Sequence, residues 1–380
     1  MKLHLLSFLL LSAAVLTLSG CIADLTYSPG PSNNSYIFLD ASPALAPSSP
    51  SNTPGISASY EILGYPLNST GTPNPAITLA APSGTVLVGA GVDNSGNVYA
   101  LTTSSSTPTG QISVYSPTSS TPSTPVRTIT LPAIFFGPSN VVASSIPAQF
   151  AVDPSGNVFV NFDDRAGTLV RYAPGAADNG TTPATPALTL TRITQPQEMT
   201  TDSAGDLYDV QDVYDADTQT DYDVINVYRA GFTTTTPART INPTTIVGTN
   251  NAFFGGIAVD GSGNVYTTLE IDPDDTPEIA IFSTTANVAP TTTITGSNTT
   301  LTENASGIAL DSAGNIYVRD DASAQRSASG SGHALQPLAA ISNPTVVDTF
   351  AANATGNAAP TNTFNTGISD AFFNDSIAIH

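Results

Sequence analysis

The sequence predicts an all-β protein, a six-bladed β-propeller with four antiparallel strands in each blade. Three observations predict it: a hairpin phrase that recurs five times, an outer-strand phrase that recurs six times, and chain ends that supply the parts of one more hairpin. Units of four short strands at an interval of about 50 residues are typical of propeller blades. The composition agrees, because few charged residues and many Ser, Thr, Asn, Gly and Pro favour strands joined by tight turns.

The hairpin phrase places an aspartate and a glycine in a turn between two apolar strands. Its first copy reads GAGVDNSGNVYAL from Gly89, in which Asp93 can accept bonds from the backbone ahead and Gly96 supplies a positive φ. The other four copies begin at Gln149, Glu198, Gly256 and Gly307. We interpret the turn aspartates as turn formers rather than metal ligands. They are Asp93, Asp153, Asp202, Asp260 and Asp311.

The outer-strand phrase has three successive parts. The first is an apolar strand that ends in an aromatic residue, the second is a polar loop, and the third is a proline followed by another apolar strand. Proline cannot donate to a ladder, so it fits the start of an outermost strand. The six aromatic and proline pairs are Tyr65 with Pro75, Tyr115 with Pro125, Tyr172 with Pro186, Tyr228 with Pro237, Phe282 with Pro290, and Phe350 with Pro360.

The two chain ends are predicted to share one blade. Residues 376–380 repeat an inner strand and stop where the turn aspartate would stand, whereas residues 34–40 resemble the second strand of a hairpin. Pairing of the last strand with the first would close the ring and remove exposed sheet edges.

The repeated hairpin phrase resembles those of NHL-repeat and gluconolactonase-like six-bladed propellers, over nearly all of the chain from about Tyr36. That group includes partner-binding scaffolds, calcium-dependent lactonases and lyases, so the resemblance leaves the function open. A lactonase-like enzyme would carry Glu, Asn and Asp at the channel mouth, at the starts of the inner strands. Here Glu198, with Gln149 and Asp375 nearby, is the set that resembles ligand-binding residues, and this departs from the lactonase pattern.

The N-terminus predicts export and lipid anchoring. A mostly apolar run follows Lys2 and His4 and ends in Leu18-Ser19-Gly20-Cys21, which resembles a bacterial lipobox. We therefore expect a signal peptide at residues 1–20, a tether at 21–33 with lipid on Cys21, and the propeller at 34–380. Ile22 after the cysteine suggests the outer membrane of a bacterial envelope, without indicating which side the protein faces.

Charge narrows the range of partners. The formal net charge is −21, and the nine basic residues are Lys2 and eight arginines. The negative electrostatic field of such a protein repels phosphate backbones, so we expect no nucleic-acid binding. A mature chain without lysine also has no Schiff-base nucleophile. A monomer is expected, attached to the membrane through its N-terminal lipid and binding an unidentified protein or small molecule.

Acidic residues gather in the loops that follow the second strand of each blade. Carboxylates that converge from several loops could hold a hard cation such as Ca²⁺, which prefers six to eight oxygen ligands. No segment has the ordered spacing of a calcium loop, and solvated acidic loops are the alternative. The candidate metal ligands are Asp163, Asp164, Asp212, Asp272, Asp274 and Asp320.

The functional hypothesis is a non-catalytic scaffold that binds its ligand through these acidic loops. The histidines do not favour a catalytic triad, because His4 lies in the signal peptide, His380 is the last residue and His333 lies in a low-complexity loop. A divalent-metal-dependent hydrolase or lyase, acting through Glu198, is the alternative from another class. A structural role in the envelope is a third.

Overall fold

The computed structural model describes residues 35–41, 60–104, 110–116, 124–132, 149–162, 167–191, 196–215, 220–242, 252–271, 277–302, 305–320, 345–368 and 377–380. Within these ranges the regular structure is entirely β-strand, as the repeats predict. No helix capable of spanning a membrane occurs in these ranges.

The strands form six sheets of four antiparallel strands, described here from the innermost strand outwards. Blade 1 joins the two ends of the chain and contains β24 (Ile377–Ile379), β1 (Tyr36–Ala41), β2 (Glu61–Pro66) and β3 (Ile77–Ala80). Blade 2 contains β4 (Thr85–Val92), β5 (Val98–Ser104), β6 (Gly110–Tyr115) and β7 (Arg127–Thr130). Blade 3 contains β8 (Gln149–Val152), β9 (Val158–Phe162), β10 (Thr168–Tyr172) and β11 (Leu188–Leu190).

The second half of the chain repeats this order three times. Blade 4 contains β12 (Pro196–Thr201), β13 (Leu207–Asp215), β14 (Thr220–Tyr228) and β15 (Arg239–Ile241). Blade 5 contains β16 (Ala252–Val259), β17 (Val265–Ile271), β18 (Glu278–Phe282) and β19 (Thr292–Thr295). Blade 6 contains β20 (Ala305–Leu310), β21 (Ile316–Asp320), β22 (Val346–Phe350) and β23 (Asn362–Asn365).

The ring closes as the chain ends predict. β24 pairs with β1, with Ile379 opposite Ile37 and Ala378 opposite Phe38. The backbone N–H of Tyr36 donates to the carbonyl of His380 at 3.0 Å, and the N–H of His380 returns a bond at 3.1 Å. The innermost strands then contact one another around the axis in the order β4, β8, β12, β16, β20 and β24, and β24 contacts β4 again.

The apolar core is divided among the six interfaces between blades. Each interface has its own cluster of buried side chains, contributed by the facing sides of two neighbouring sheets. Between blades 6 and 1, for example, Tyr317 and Phe364 pack with Ile37 and Leu39, and the end strand adds Ile377 and Ile379. Because alternate residues of a strand face opposite sides, each blade buries both of its faces.

The repeated turn is built as the sequence predicts. One carboxylate oxygen of Asp93 accepts from the backbone N–H of Ser95 at 2.9 Å and of Asn97 at 3.0 Å, and the other accepts from the Tyr99 hydroxyl at 2.9 Å. Gly96 has a φ of 77°, which only glycine adopts without strain. The other four turn aspartates accept the same pair of backbone bonds.

Two arginines at matching outer-strand positions join neighbouring blades. The sequence suggests that Arg127 and Arg239 cover apolar surface or pair with carboxylates. Instead they donate to backbone carbonyls in the outer loop of the next blade, Arg127 to Ala176 at 2.7 Å and Arg239 to Ala286 at 2.6 Å. The planar guanidinium suits such multiple donation, so these residues tie blade to blade at the rim.

Candidate functional site

The starts of the inner strands define one end of the ring, which we call the top face. The second strands end at this face and the third strands begin there, since neighbouring strands are antiparallel. Four inner strands carry a β-bulge at this end, namely β4, β12, β16 and β20. Bulges bend a strand and redirect its side chains, and they are common beside active sites.

Close packing of the inner strands explains the glycines at this end. A Cβ on Gly256 would lie 2.4 Å from the carbonyl oxygen of Ser306 and 2.6 Å from the nitrogen of Ile308, on the neighbouring inner strand. The Gly256 N–H donates to the Thr268 hydroxyl at 2.7 Å. The backbones of blades 5 and 6 therefore meet directly, without an intervening side chain.

Two of the predicted ligand-binding residues stand on neighbouring inner strands. Gln149 is the first residue of β8, opposite Asn161, and Glu198 follows the bulge of β12, opposite Val210. Both side chains are half-buried, and β8 and β12 contact each other. The third predicted member, Asp375, lies outside the described residues, as does the lipidation candidate Cys21.

Glu198 has an unusual electrostatic setting for a carboxylate. Burial, and secondarily the charge of Asp40, raise the pKa of Glu198 to about 8, although the Met199 backbone hydrogen bond acts against the shift. Asp40 belongs to blade 1, three blades from blade 4, so its charge acts across the ring. A shift of this kind is more frequent at functional sites than elsewhere on a protein.

Asp40 takes part in a buried ion pair that no sequence motif indicates. The Arg319 guanidinium on β21 donates to the Asp40 carboxylate at 2.6 Å, and the Arg319 side chain is 0% exposed. The pair therefore connects blade 6 to the N-terminal strand. The signal in the sequence is a charged residue, Arg319, within a second strand, because both faces of such a strand are buried between blades.

Two other top-face carboxylates in the described ranges accept hydrogen bonds from backbone N–H groups. Asp320, a predicted metal ligand, is 1% exposed and accepts from the Thr302 N–H at 2.7 Å. Asp223 accepts from the Phe254 N–H at 2.9 Å, which fixes the entry to β16. Asp212, also a predicted ligand, is half-buried on β13 opposite Asp223.

The predicted metal site remains a prediction. Asp163, Asp164, Asp272 and Asp274 lie outside the described ranges, and the remaining two candidates belong to different blades, Asp212 to blade 4 and Asp320 to blade 6. Among the residues that the structure describes, no three His, Cys, Asp or Glu side chains come close enough together to hold a metal ion.

Comparison with known proteins supports the fold and extends no further. No family model matches the chain, and no curated protein matches it. A solved protein of unknown function from Bacteroides caccae is similar with a TM-score of 0.52 and 8% identity, over 90% of this chain and 98% of that chain. The major Malassezia sympodialis allergen Mala s 1 is similar with a TM-score of 0.36 and 14% identity, over 69% of this chain and 80% of that one. The chain is a six-bladed β-propeller, and likeness at such identities carries no information about its ligand.

Proposed function

We propose that this protein is a lipid-anchored propeller of the bacterial envelope that binds a small ligand or a partner at its top face, without catalysis. The observation that carries the proposal is the placement of Glu198 and Gln149 on the starts of two neighbouring inner strands. Ligand sites are concave and carry a few convergent polar groups, and the axial end of a propeller offers that arrangement.

The chemistry of these residues favours a cationic or neutral polar ligand over an anion. Gln149 can both donate and accept, whereas Glu198 only accepts once a bound cation displaces the proton that its raised pKa retains. A cation beside Glu198 and Asp40 would relieve their mutual repulsion, which is one cause of the raised pKa of Glu198. An anion would meet the Glu198 carboxyl group and the net charge of −21.

The family placement and the anchor are part of the proposal. The hairpin phrase supports an NHL-repeat or gluconolactonase-like propeller, and the sequence Leu18-Ser19-Gly20-Cys21 supports lipidation of Cys21. Cys21→Ser should move the protein from the membrane to the soluble fraction of a bacterial host. Membrane association that survives this change would contradict the lipid anchor. It would not bear on the proposed ligand site.

Thermal unfolding of the Cys21→Ser protein tests the ligand site. We expect members of an amine panel such as putrescine, spermidine and agmatine, or of a neutral sugar panel, to raise Tm, and carboxylates to leave Tm unchanged. Glu198→Gln should abolish the increase, and Gln149→Ala should reduce it. Glu278→Gln is the matched control, because Glu278 is a partly buried carboxylate at the start of β18 in blade 5. Increases that persist in Glu198→Gln would refute the site.

Elemental analysis separates this proposal from a metal-dependent hydrolase or lyase. A binding scaffold predicts protein without stoichiometric metal and with the same Tm in chelator. Stoichiometric Ca²⁺ or Zn²⁺ that is lost in Glu198→Ala would support the enzyme instead. Ca²⁺ that survives this change would point to the acidic loops.

A further inference from the structure

The interface between blades 3 and 4 contains a buried polar pair, Asn161 on β9 and Asp209 on β13. Both residues are 0% exposed. Asn161 lies opposite Gln149, and Asp209 lies opposite Met199, the neighbour of Glu198. The pair therefore stands one strand further from the axis than the candidate ligand residues.

Asp209 stands at a second-strand position that is apolar in most other blades. The residues that match Asp209 in the other blades are Leu39, Ala100, Val160, Thr267 and Val318. The residues that match Asn161 are more polar, namely Asp40, Leu101, Val210, Thr268 and Arg319. In the described ranges the apolar cluster of this interface is the smallest of the six. Its buried members are Ala151, Phe159, Leu169, Met199, Leu207 and Tyr228.

The hydrogen bonds around the pair leave one atom unsatisfied. Gln211 Nε2 donates to Asp209 Oδ2 at 2.7 Å, whereas Asn161 Nδ2 is 3.3 Å from the same oxygen and 3.5 Å from Oδ1. Asn161 Oδ1 is buried and has no hydrogen-bond partner. Neither of the two ion pairs in the described ranges involves Asp209. An ionised Asp209 would therefore be a buried charge without a cation, beside an acceptor without a donor.

A proton on Asp209 resolves both problems. A neutral carboxyl group has one O–H to donate, and the oxygen and nitrogen of an Asn amide can exchange places by a rotation of the side chain. The Asp209 hydroxyl can then donate to Asn161 Oδ1, while the other Asp209 oxygen still accepts from Gln211. The buried carboxyl group is then neutral, and the Asn161 oxygen has a donor.

We propose that Asp209 is protonated in the folded protein and donates to Asn161 Oδ1, so that loss of this proton at alkaline pH loosens the contact between blades 3 and 4. This contact supports both β8 and β12, beside the top face. We call the pH-sensitive Asn161–Asp209 pair the latch. Protonation of Asp209 does not depend on whether Glu198 binds a ligand.

The electrostatic surroundings agree with the geometry. Burial raises the pKa of Asp209 to about 7, and the hydrogen bonds from Gln211 and Asn161 limit the shift. The titratable groups nearby are Tyr228 on β14 and Glu198 on β12, whereas Gln149 and Asn161 in blade 3 are neutral. Burial first, and Asp209 second, raise the pKa of Tyr228 well above its usual value, so Tyr228 stays neutral. Glu198 titrates in a neighbouring range and has to be removed in the experiment.

Urea unfolding between pH 5 and 9 tests the latch in the Glu198→Gln protein. Since one proton is held only by the folded state, the unfolding equilibrium constant should rise by up to about tenfold per pH unit toward pH 7. Asp209→Asn should remove most of this rise, because an amide can replace the neutral acid in both hydrogen bonds. Asp320→Asn, at a buried carboxylate that accepts a backbone bond, should lower stability and keep the rise. The same pH dependence in Asp209→Asn as in its parent would overturn the proposal.

Two measurements on the Glu198→Gln protein keep the test decisive if Asp209→Asn does not fold. Infrared spectra should show a carbonyl band of a protonated carboxyl group that disappears near pH 7. Hydrogen exchange, corrected for its intrinsic pH dependence, should accelerate above that pH in β8, β9, β12 and β13 and remain slow in blade 6. Absence of the band, or equal acceleration in all blades, would overturn the proposal.

Discussion

Arg319 and Asp40 show how much a single buried pair can matter to a ring. Removal of one partner leaves the other charge in a site that excludes water, which typically costs 3–5 kcal/mol. We expect Arg319→Met to lower the free energy of unfolding by about 3–5 kcal/mol in urea titrations, because Asp40 is 6% exposed.

The double variant Asp40→Asn/Arg319→Met is the control for that prediction. With both charges gone, no buried ion lacks a counter-ion, and much of the lost stability should return. If Arg319→Met were as stable as the wild type, the pair would not support the contact between blades 6 and 1.

Glu198 gives a second prediction, a dependence of stability on pH. Its pKa is raised from the usual 4.5 to about 8, so the folded protein keeps a proton that the unfolded chain releases. The contribution to stability is complete below about pH 4.5 and is lost as the pH rises toward 8.

The comparison of Glu198→Gln with the wild type measures this contribution. We expect the urea midpoint of the wild type to fall more steeply between pH 5 and 8 than that of the variant. Asp209 adds its own part, so the double variant with Asp209→Asn should be the least pH-dependent. Parallel curves for wild type and Glu198→Gln would show that Glu198 is ionised throughout this range.

Among the elements, the inner strands set the tightest steric limits. β16 and β20 approach backbone to backbone at Gly256, where a Cβ would overlap the Ser306 carbonyl. Gly256→Ala should lower the free energy of unfolding by about 3 kcal/mol, since overpacking that must move backbone is costly. Gly261→Ala is the control, with open space around its Cβ, and should change stability by less than about 0.5 kcal/mol. Equal effects of the two changes would contradict the close approach of the strands.

The elements were largely predictable from the sequence, and the site less so. The repeats predict the hairpin turns, the outer strands and the shared blade. Each repeat contains the residues that form its own turn, such as Asp93 and Gly96. The side chains at the top face depend on which blades face each other. No local pattern shows that Arg319 reaches Asp40, or that Asp320 binds the Thr302 backbone instead of a metal. The bulge before Glu198, which places that residue opposite Val210, also depends on pairing with β13.

In the molecule as a whole, closure of the ring makes six small interfaces act together. Each blade buries apolar side chains on both faces only if it has two neighbours, so a ring opened between blades 6 and 1 would expose both halves of the cluster at that interface. The terminal strand β24 is therefore expected to contribute more to stability than its three residues suggest. The candidate site depends on the same closure, because Asp40 in blade 1 influences Glu198 in blade 4.

A disulfide across the closing strands tests the ring most directly. Ile37 and Ile379 lie opposite each other, whereas Ile377 lies opposite Leu39. In a Cys21→Ser background, Ile37→Cys/Ile379→Cys should oxidise completely within one molecule and raise Tm. Ile37→Cys/Ile377→Cys, two residues out of register, should remain largely reduced. Equal cross-linking of both pairs, or none in either, would contradict the closed ring.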